Sequence, residues 1–288
     1  MPWGQGIFMG QVKQALSLIV GAVADAAMPS LGRDMEAGRN NTQAVRLKRA
    51  ILKARLRRAE ASKDTANIQD ALAAFWLGAS GDEFHTEWGR ASFEHFRDNH
   101  SALIDVFDQF VRTSGLGFSR IVEIGCGNGE ALAYCAEKLP WVVQGVGIDI
   151  NAGAIDRATA AQPAGSRLSF KCADATDWLA AHPQPGTVML SNGGVLEYFS
   201  QDSVDRLLNA LALARPAAVL LVEPLDRGHD LDRQPDSHTF SSTGAAGKET
   251  TFSHNHRARL QQAGFEVVFA EETRLHEARG MMMLGVLR

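Results

Sequence analysis

The stretch that most constrains this chain is IVEIGCGNGE, residues 121–130, where a strand-like run leads directly into glycines at every second position. Glycine adopts positive φ angles and lets backbone N–H groups approach a ligand closely, because it has no Cβ. The helix that follows such a loop presents a partly positive N-terminus. The stretch therefore predicts a buried strand, a tight ligand-binding loop and a helix.

The spacing of the glycines distinguishes between cofactors. A dinucleotide-binding loop would carry a glycine three residues after Gly127, where this chain has Glu130. Here the glycines are Gly125, Gly127 and Gly129, and the strand carries Glu123. This E-x-G-x-G-x-G pattern resembles the first motif of the class I S-adenosylmethionine-dependent methyltransferases. The resemblance implies S-adenosylmethionine as cofactor, with the acid and the three glycines at its site.

The resemblance extends over residues 116–288, where strand and helix patterns alternate. It implies an α/β fold with a Rossmann-like seven-stranded sheet, mostly parallel and ending in an antiparallel hairpin. Asp149 ends the predicted second strand, 24 residues after Gly125, and a carboxylate there can accept hydrogen bonds from both hydroxyls of a ribose. Asp149 and its neighbour Ile150 are therefore predicted cofactor contacts. Alternatively, Asp149 only caps the next helix.

The ends of the third and fourth strands supply the other expected cofactor contacts. Asp174 follows the third strand and matches the acid that, in this family, accepts from the adenine amino group, with Ala175 as the apolar neighbour. Asp174 could instead be only a helix N-cap. Ser191 and Asn192 close the fourth strand at the crevice where ligands of open α/β sheets bind.

The loop after the fourth strand, SNGGVLEYF at residues 191–199, indicates the acceptor. It lacks the Asn/Asp-Pro-Pro-aromatic sequence of nucleic-acid amino methyltransferases. It also lacks the carboxylate set with which catechol-type O-methyltransferases hold Mg²⁺. The loop resembles that of small-molecule and sugar methyltransferases, which implies a small-molecule or glycan acceptor, bound by Glu197 and Tyr198, and no metal.

Transfer to a hydroxyl requires a base, and histidine titrates near neutral pH. His254 and His256 follow the polar segment 224–251, whose length and composition predict a lid or disorder. We therefore predict an O-methyltransferase in which His254, with His256 beside it, is the catalytic base. A solvated or capping histidine is the alternative, and an H-x-H pair could also bind a metal, but no third ligand is identifiable.

Residues 64–115 form a predicted helical cap region rich in aromatic side chains, most of which favour core packing. The exception is Gly78–Trp88, where a Gly/Ser turn is expected to interrupt two helices. Because N-terminal helices often cover the active site in this class of methyltransferase, His85 and Trp88 are predicted substrate-binding residues. Simple packing is the alternative.

Residues 1–63 form a basic helical segment with a net charge of +7, against −11 for the remainder. An apolar stripe over residues 12–27 is too short to span a bilayer and does not favour a signal peptide. The helix expected over residues 42–62 is amphipathic, with a basic face. Its alternatives are a solvated docked helix, peripheral contact with an anionic membrane, and contact with RNA, which no interleaved aromatics support.

Three scattered cysteines favour a reducing cytoplasm and no structural zinc site. Beside the main hypothesis we keep three alternatives. The chain could be an RNA methyltransferase that uses the basic helix, a small-molecule N-methyltransferase, or a non-catalytic cofactor-binding protein.

Overall fold

The computed structural model describes residues 18, 20–24, 26, 45–62, 64–244, 247–275 and 278–288. The chain divides into two compact units, residues up to 83 with 243–250, and residues 84–242 with 251–288. These bounds differ from the predicted domain boundaries after residues 63 and 115, which stay predictions. The stripe predicted over 12–27 lies mostly outside the described residues.

The first unit contains helix α1 (Val45–Ser62), helix α2 (Thr65–Leu77) and the beginning of α3 (Ala79–Asn99). Asp64 caps α2, because its side chain accepts a hydrogen bond from the Asn67 amide. Gly78 alone separates α2 from α3, so the Gly/Ser turn expected to extend to residue 81 is helical after its first residue.

The apolar stripe of α1 faces the interior of this unit. Ile51, Leu56 and Ala59 are buried, whereas Arg57 and Arg58 are exposed. Of the described side chains of α1, Arg57 and Arg58 are thus accessible to a membrane surface, and these three apolar side chains are not. Membrane contact through residues 42–62 stays a prediction.

The second unit is built on a seven-stranded sheet. In chain order its strands are β1 Arg120–Ile124, β2 Gln144–Asp149, β3 Leu168–Cys172, β4 Thr187–Asn192, β5 Ala217–Leu225, β8 Glu266–Leu275 and β9 Ala278–Leu287. The order across the sheet is β3-β2-β1-β4-β5-β9-β8. The first five strands run parallel, and β9 pairs antiparallel with both β5 and β8. The predicted methyltransferase-like sheet is confirmed.

Helices cover both faces of the sheet, which explains why its strands are nearly continuous apolar runs. Besides the rest of α3, they are α4 Ala102–Ser114, α5 Glu130–Lys138, α6 Ala152–Ala160, α7 Ala175–Ala181, α8 Gln201–Ala212 and α9 His256–Gln262. Alternate residues of β1 enter different cores. Ile121 packs with Leu103 and Leu132 on one face, and Val122 packs with Leu179 and Leu207 on the other.

The segment expected to be an irregular lid contains a hairpin instead. Strands β6 (His238–Gly244) and β7 (Gly247–Ser253) form a separate two-stranded sheet. The expectation of an irregular segment over 224–251 is therefore wrong for this part, and its role as a lid stays a prediction. The hairpin is polar, so it lacks the apolar alternation from which strands are usually recognised, although its threonines and phenylalanines favour extended backbone.

The register of the parallel strands brings the expected site together. Ile124 at the end of β1 lies opposite Ile148 of β2 and Ser191 of β4. Asn192 lies opposite Val222 of β5. The carboxyl ends of β2, β1, β4 and β5 therefore form one edge, where open α/β sheets bind their ligands.

Candidate functional site

The loop after β1 has the backbone geometry that its glycines predict. Gly125, Gly127 and Gly129 have φ angles of 62°, 50° and 79°. A Cβ on Gly129 would lie 2.4 Å from Phe170, and one on Gly125 would lie 2.6 Å from Val195 of the loop after β4. Any residue other than glycine would strain this backbone and place a side chain in the space beside the loop. The loop therefore fits a ligand that is held by backbone amides.

Asp149 lies where the sequence predicts, at the end of β2 beside this loop. Its side chain is buried. Oδ2 accepts a hydrogen bond from the Gly127 amide at 2.9 Å, and Oδ1 accepts one from the Asn151 amide at 2.8 Å. The helix-cap alternative is wrong in one respect, because Asn151 and not Asp149 caps α6. The ribose role of Asp149, and the contact of Ile150, stay predictions.

Glu123 points into the interior of the domain. Burial raises the pKa of its carboxyl to about 8, although the Leu132 amide in the first turn of α5 favours the ionised form. Oε2 has no hydrogen-bond partner among the described residues. The carboxyl therefore supports the start of α5 from beneath the glycine loop, and its contact with the cofactor stays a prediction.

Asp174 forms the helix cap that the sequence left open. It is exposed, and its Oδ1 accepts a hydrogen bond from the Asp177 amide at 3.0 Å at the start of α7. Ala175 behind it is buried. Capping occupies one carboxylate oxygen, and a carboxylate has further acceptor capacity. The adenine role of both residues stays a prediction.

The acceptor loop, residues 192–198, follows β4. Glu223 holds this loop by hydrogen bonds to its backbone amides, a role that the sequence analysis did not predict. Glu223 on β5 is fully buried, and its carboxylate accepts from the Ser191 hydroxyl and from the amides of Val195 (3.3 Å) and Leu196 (3.0 Å). Burial raises its pKa to about 7 against the opposing effect of these donors. An acid inside the apolar strand AAVLLVEPL was the sequence feature that could have identified it.

The C-terminal part of the acceptor loop contains the two residues predicted to contact the acceptor. Glu197 is buried and Tyr198 is half-buried, both in a 3₁₀ turn over Leu196–Tyr198. A Cβ on Gly194 would lie 2.7 Å from Glu197 Oε1, so the glycine makes room for this carboxyl. The Asn192 side chain is half-buried, and its Oδ1 has no hydrogen-bond partner within the described part of the chain.

His254 serves as a support in this structure. It is buried, Nε2 donates to the Leu196 carbonyl (2.9 Å), and Nδ1 accepts from the Ser237 hydroxyl (2.6 Å). Burial lowers its pKa to about 4, although the Leu196 carbonyl acts in the opposite direction. With both ring nitrogens bonded, the neutral imidazole has no lone pair left for an acceptor proton.

His256 is also buried, at the start of α9, and burial lowers its pKa well below the usual value. The alternative of a solvated histidine is therefore wrong for both residues. The catalytic role of His254 and His256 stays a prediction, which this geometry does not favour.

The two predicted residues of α3 differ in their placement. His85 is buried against the glycine loop, with Nε2 3.9 Å from Asp149 Oδ2. Trp88 is 57% exposed. The structure thus brings His85 to the cofactor side of the site, whereas the acceptor role of Trp88 stays a prediction.

No group of three or more His, Cys, Asp or Glu side chains within the described residues could hold a metal ion. The three cysteines are free. Among the helices that the structure describes, none is both long and apolar enough to cross a membrane.

Comparison with known proteins agrees with this site. Residues 121–215 match the family model "Methyltransferase domain". No curated protein matches the sequence.

Two solved structures are similar to parts of this chain. Magnesium protoporphyrin IX methyltransferase (ChlM) from Synechocystis PCC 6803, with bound SAM, is 17% identical, with 68% of this chain and 83% of that chain covered and a TM-score of 0.44. The sugar N-methyltransferase KedS8 from Streptoalloteichus sp ATCC 53650 is 17% identical, with 68% and 91% covered and a TM-score of 0.47. The matched segment contains the glycine loop, Asp149 and the acceptor loop, so this part of the chain is similar to a methyltransferase domain and has the strand order described above.

Proposed function

We propose that this enzyme transfers a methyl group to a hydroxyl oxygen of a small-molecule or glycan acceptor, without a metal ion. When bound, S-adenosylmethionine supplies a methyl group on a sulfonium, which a nucleophile can displace in line. The chain then has to align the acceptor, exclude water and receive the hydroxyl proton.

The observation that carries the proposal is the acceptor loop. Gly193 leaves open space at the carboxyl end of β4, because a Cβ there would meet no atom within 4 Å. The buried Glu197 carboxyl, whose Oε1 lies 2.7 Å from where a Cβ on the next residue, Gly194, would be, is the loop's own acid. We assign Glu197 to hold the acceptor hydroxyl and to receive its proton, and Tyr198 to bind the acceptor beside it.

The cofactor residues are proposed as predicted from the sequence. The glycine loop and Glu123 form its base, and Asp149 and Ile150 bind the ribose side. Asp174 and Ala175 bind the adenine side, and Ser191 and Asn192 complete the site at the end of β4. The orphaned Oδ1 of Asn192 supports this set, because a buried carbonyl oxygen without a partner needs a donor.

A small-molecule N-methyltransferase is the second candidate. The burial of His254 and His256 favours it, as do the hydrogen bonds at both ring nitrogens of His254, because an amine that is already nucleophilic requires no histidine base. RNA as acceptor has weaker support, namely the exposed Arg57 and Arg58 of α1. A cytoplasmic location remains part of the proposal.

The test is methyl transfer by the purified full chain. Isotopically labelled S-adenosylmethionine would be incubated with panels of hydroxylated small molecules, glycans, amines and RNA, and methylated products identified by mass spectrometry. We expect an O-methylated product, and its loss in Glu197→Gln, with unchanged binding of S-adenosylhomocysteine. Products methylated only on nitrogen, or only on RNA, would overturn the proposal.

A further inference from the structure

We propose that His85 is a cofactor-binding residue, whose Nε2–H donates a hydrogen bond to a ribose hydroxyl that in turn donates to Asp149. The proposal rests on the cofactor assigned above. It adds a cofactor-binding residue that lies outside residues 121–215, the segment matched by the family model. It differs from the sequence prediction, which placed His85 at the acceptor.

The distance between the two side chains suits a bridging hydroxyl. His85 Nε2 and Asp149 Oδ2 are 3.9 Å apart, which is longer than a direct hydrogen bond. An oxygen about 2.8 Å from each atom spans this gap with a near-right angle at the oxygen, an acceptable geometry for a hydroxyl that accepts one bond and donates another. Oδ2 already accepts from the Gly127 amide, and a carboxylate oxygen can accept a second bond.

The imidazole of His85 is held directly on the glycine loop. A Cβ on Gly127 would lie 2.9 Å from His85 Nδ1 and 3.2 Å from Cε1. His85 is buried in this position. The Nδ1 edge of the ring therefore faces the loop, which leaves the Nε2 edge towards Asp149, the residue that the sequence assigns to the ribose.

Asn128 of the glycine loop is hydrogen-bonded to α3, the helix that contains His85. Its Nδ2 donates to the His85 carbonyl at 2.8 Å, and its Oδ1 accepts from Arg157 Nε at 3.0 Å. One turn further along α3, a Cβ on Gly89 would lie 2.7 Å from Asn128 Nδ2. Glycine inside a helix is unfavourable, and here it provides the space that lets Asn128 reach the helix.

These contacts make the position of His85 depend on the same loop that binds the cofactor. The loop contributes Gly127 beneath the ring and Asn128 on the carbonyl of the same residue. A histidine that only filled the core would not require its helix to be hydrogen-bonded to Asn128 of this loop and its ring to lie against the adjacent Gly127. The arrangement instead fixes one ring edge beside the Asp149 carboxylate.

The experiment is calorimetry of the full chain with S-adenosylhomocysteine. His85→Ala should weaken binding by about 5- to 20-fold, the effect of losing one hydrogen bond near a charged group. His85→Gln should recover part of the loss, because its amide can place a donor near the position of Nε2. His95→Ala, the same substitution elsewhere on α3, is the matched control and should leave the affinity unchanged.

Analogues of the ligand separate a ribose contact from packing. If His85 bonds one hydroxyl, then His85→Ala and the native chain should bind either 2′-deoxy- or 3′-deoxy-S-adenosylhomocysteine equally, because that analogue lacks the shared hydroxyl. The proposal would be overturned if His85→Ala lost affinity, relative to the native chain, by the same factor for both analogues and for the parent ligand. Unchanged binding of the parent ligand by His85→Ala would also overturn it. Failure of the native chain to bind the parent ligand would instead reject the cofactor itself.

Gly89→Ala tests the hydrogen bond from Asn128 to α3 without touching the ligand. The added Cβ should displace Asn128 and weaken S-adenosylhomocysteine binding to a similar degree. In combination with His85→Ala it should add little, because both changes remove the same contact. Additive losses would show that the two residues act independently and would contradict this role of Asn128. Thermal melting of each variant checks that the chain remains folded.

Discussion

The two halves of the site are built by different means. At the ends of β1 and β2, the backbone defines the site, through three glycines with positive φ and an aspartate that binds the loop amides. At the ends of β4 and β5, buried ionisable side chains define it, because Glu223 holds the amides of the acceptor loop and His254 holds a carbonyl of the same loop.

This difference shows that a titratable group near a site can be part of its framework. Burial shifts the pKa of Glu223 to about 7 and that of His254 to about 4. Shifted pKa values of this kind commonly mark catalytic groups, but structural networks produce them as well. Here both groups bond the acceptor loop, and their other hydrogen bonds go to the hydroxyls of Ser191 and Ser237.

The largest expected effect tests the backbone-defined half. Gly127→Val should abolish detectable binding of S-adenosylhomocysteine, a loss of at least about 100-fold, because a branched side chain would strain the loop and collide with His85. Calorimetry would measure the affinity. The control is Gly165→Val, since Gly165 has a φ of 77° but a Cβ there would meet no atom within 4 Å. If both variants bind the ligand normally, the loop is not the cofactor site.

Glu223→Ala tests the half defined by side chains. It leaves the Ser191 hydroxyl and the amides of Val195 and Leu196 buried without their acceptor. We expect the free energy of unfolding to fall by about 3–5 kcal/mol, from a desolvation penalty of about 1–3 kcal/mol for each group partly relieved by relaxation.

Urea denaturation would measure this loss of stability. Glu272→Ala is the control, because Glu272 pairs with Arg279 at the surface with its side chain 58% exposed. That variant should lose no more than about 1 kcal/mol. Equal losses in the two variants would contradict the assignment of Glu223 as the support of the acceptor loop.

The pH dependence of stability should have opposite signs for the two supports. His254 has a folded-state pKa of about 4, below the ordinary 6.5, so its contribution is complete above pH 6.5 and is lost as the pH falls towards 4. Glu223 has a folded-state pKa of about 7, above the ordinary 4.5, so its contribution is complete below pH 4.5 and is lost as the pH rises to 7. Each effect is on the order of 3 kcal/mol.

Urea denaturation between pH 4.5 and 6.5 would separate these contributions. Relative to the native chain, His254→Gln should shift the slope of stability against pH downward, and Glu223→Gln should shift it upward. The exposed Gln262 provides the control variant, Gln262→Ala, which changes no titratable group and should leave the slope unchanged. Slope changes of the same sign in the two test variants would show that the supports do not titrate as the structure implies.

The smallest expected effect concerns metals. We expect turnover to be unchanged by EDTA, since the acceptor loop offers no set of carboxylate ligands. Methyl transfer to the acceptor found in the labelling experiment would be measured before and after chelation. If activity is lost in EDTA and restored by Mg²⁺, the acceptor half contains a metal ion, and the prediction of metal-independent transfer is wrong.

The sequence was sufficient to predict the sheet and the backbone geometry of the glycine loop. Alternating strands and helices indicate a mostly parallel sheet with helices on both faces. The glycine spacing reports a local property, the backbone angle, so that residues 125–129 could be assigned without knowledge of their neighbours. The end of β2 likewise follows from the strand pattern, which placed Asp149 correctly.

The acceptor half could not be predicted in the same way, because its polar residues are buried by distant partners. His254 bonds the Leu196 carbonyl, 58 residues away, and the Ser237 hydroxyl, 17 residues away. A histidine in a polar segment such as SHNH appears solvated from its neighbours alone. The β6–β7 hairpin was missed for a related reason, since its strands do not show an apolar alternation.

The contact between Gly125 and Val195 links the two halves thermodynamically. Val195 belongs to the acceptor loop, and its methyl carbons lie 2.6 and 2.7 Å from where a Cβ on Gly125 would be. We therefore expect an acceptor that moves Val195 to change the packing of the glycine loop and, with it, the free energy of cofactor binding. Binding of the two ligands is thermodynamically linked. If the acceptor changes the affinity for the cofactor by some factor, the cofactor changes the affinity for the acceptor by the same factor. Unknown acceptors can thus be detected through a change in cofactor affinity, before any turnover is observed.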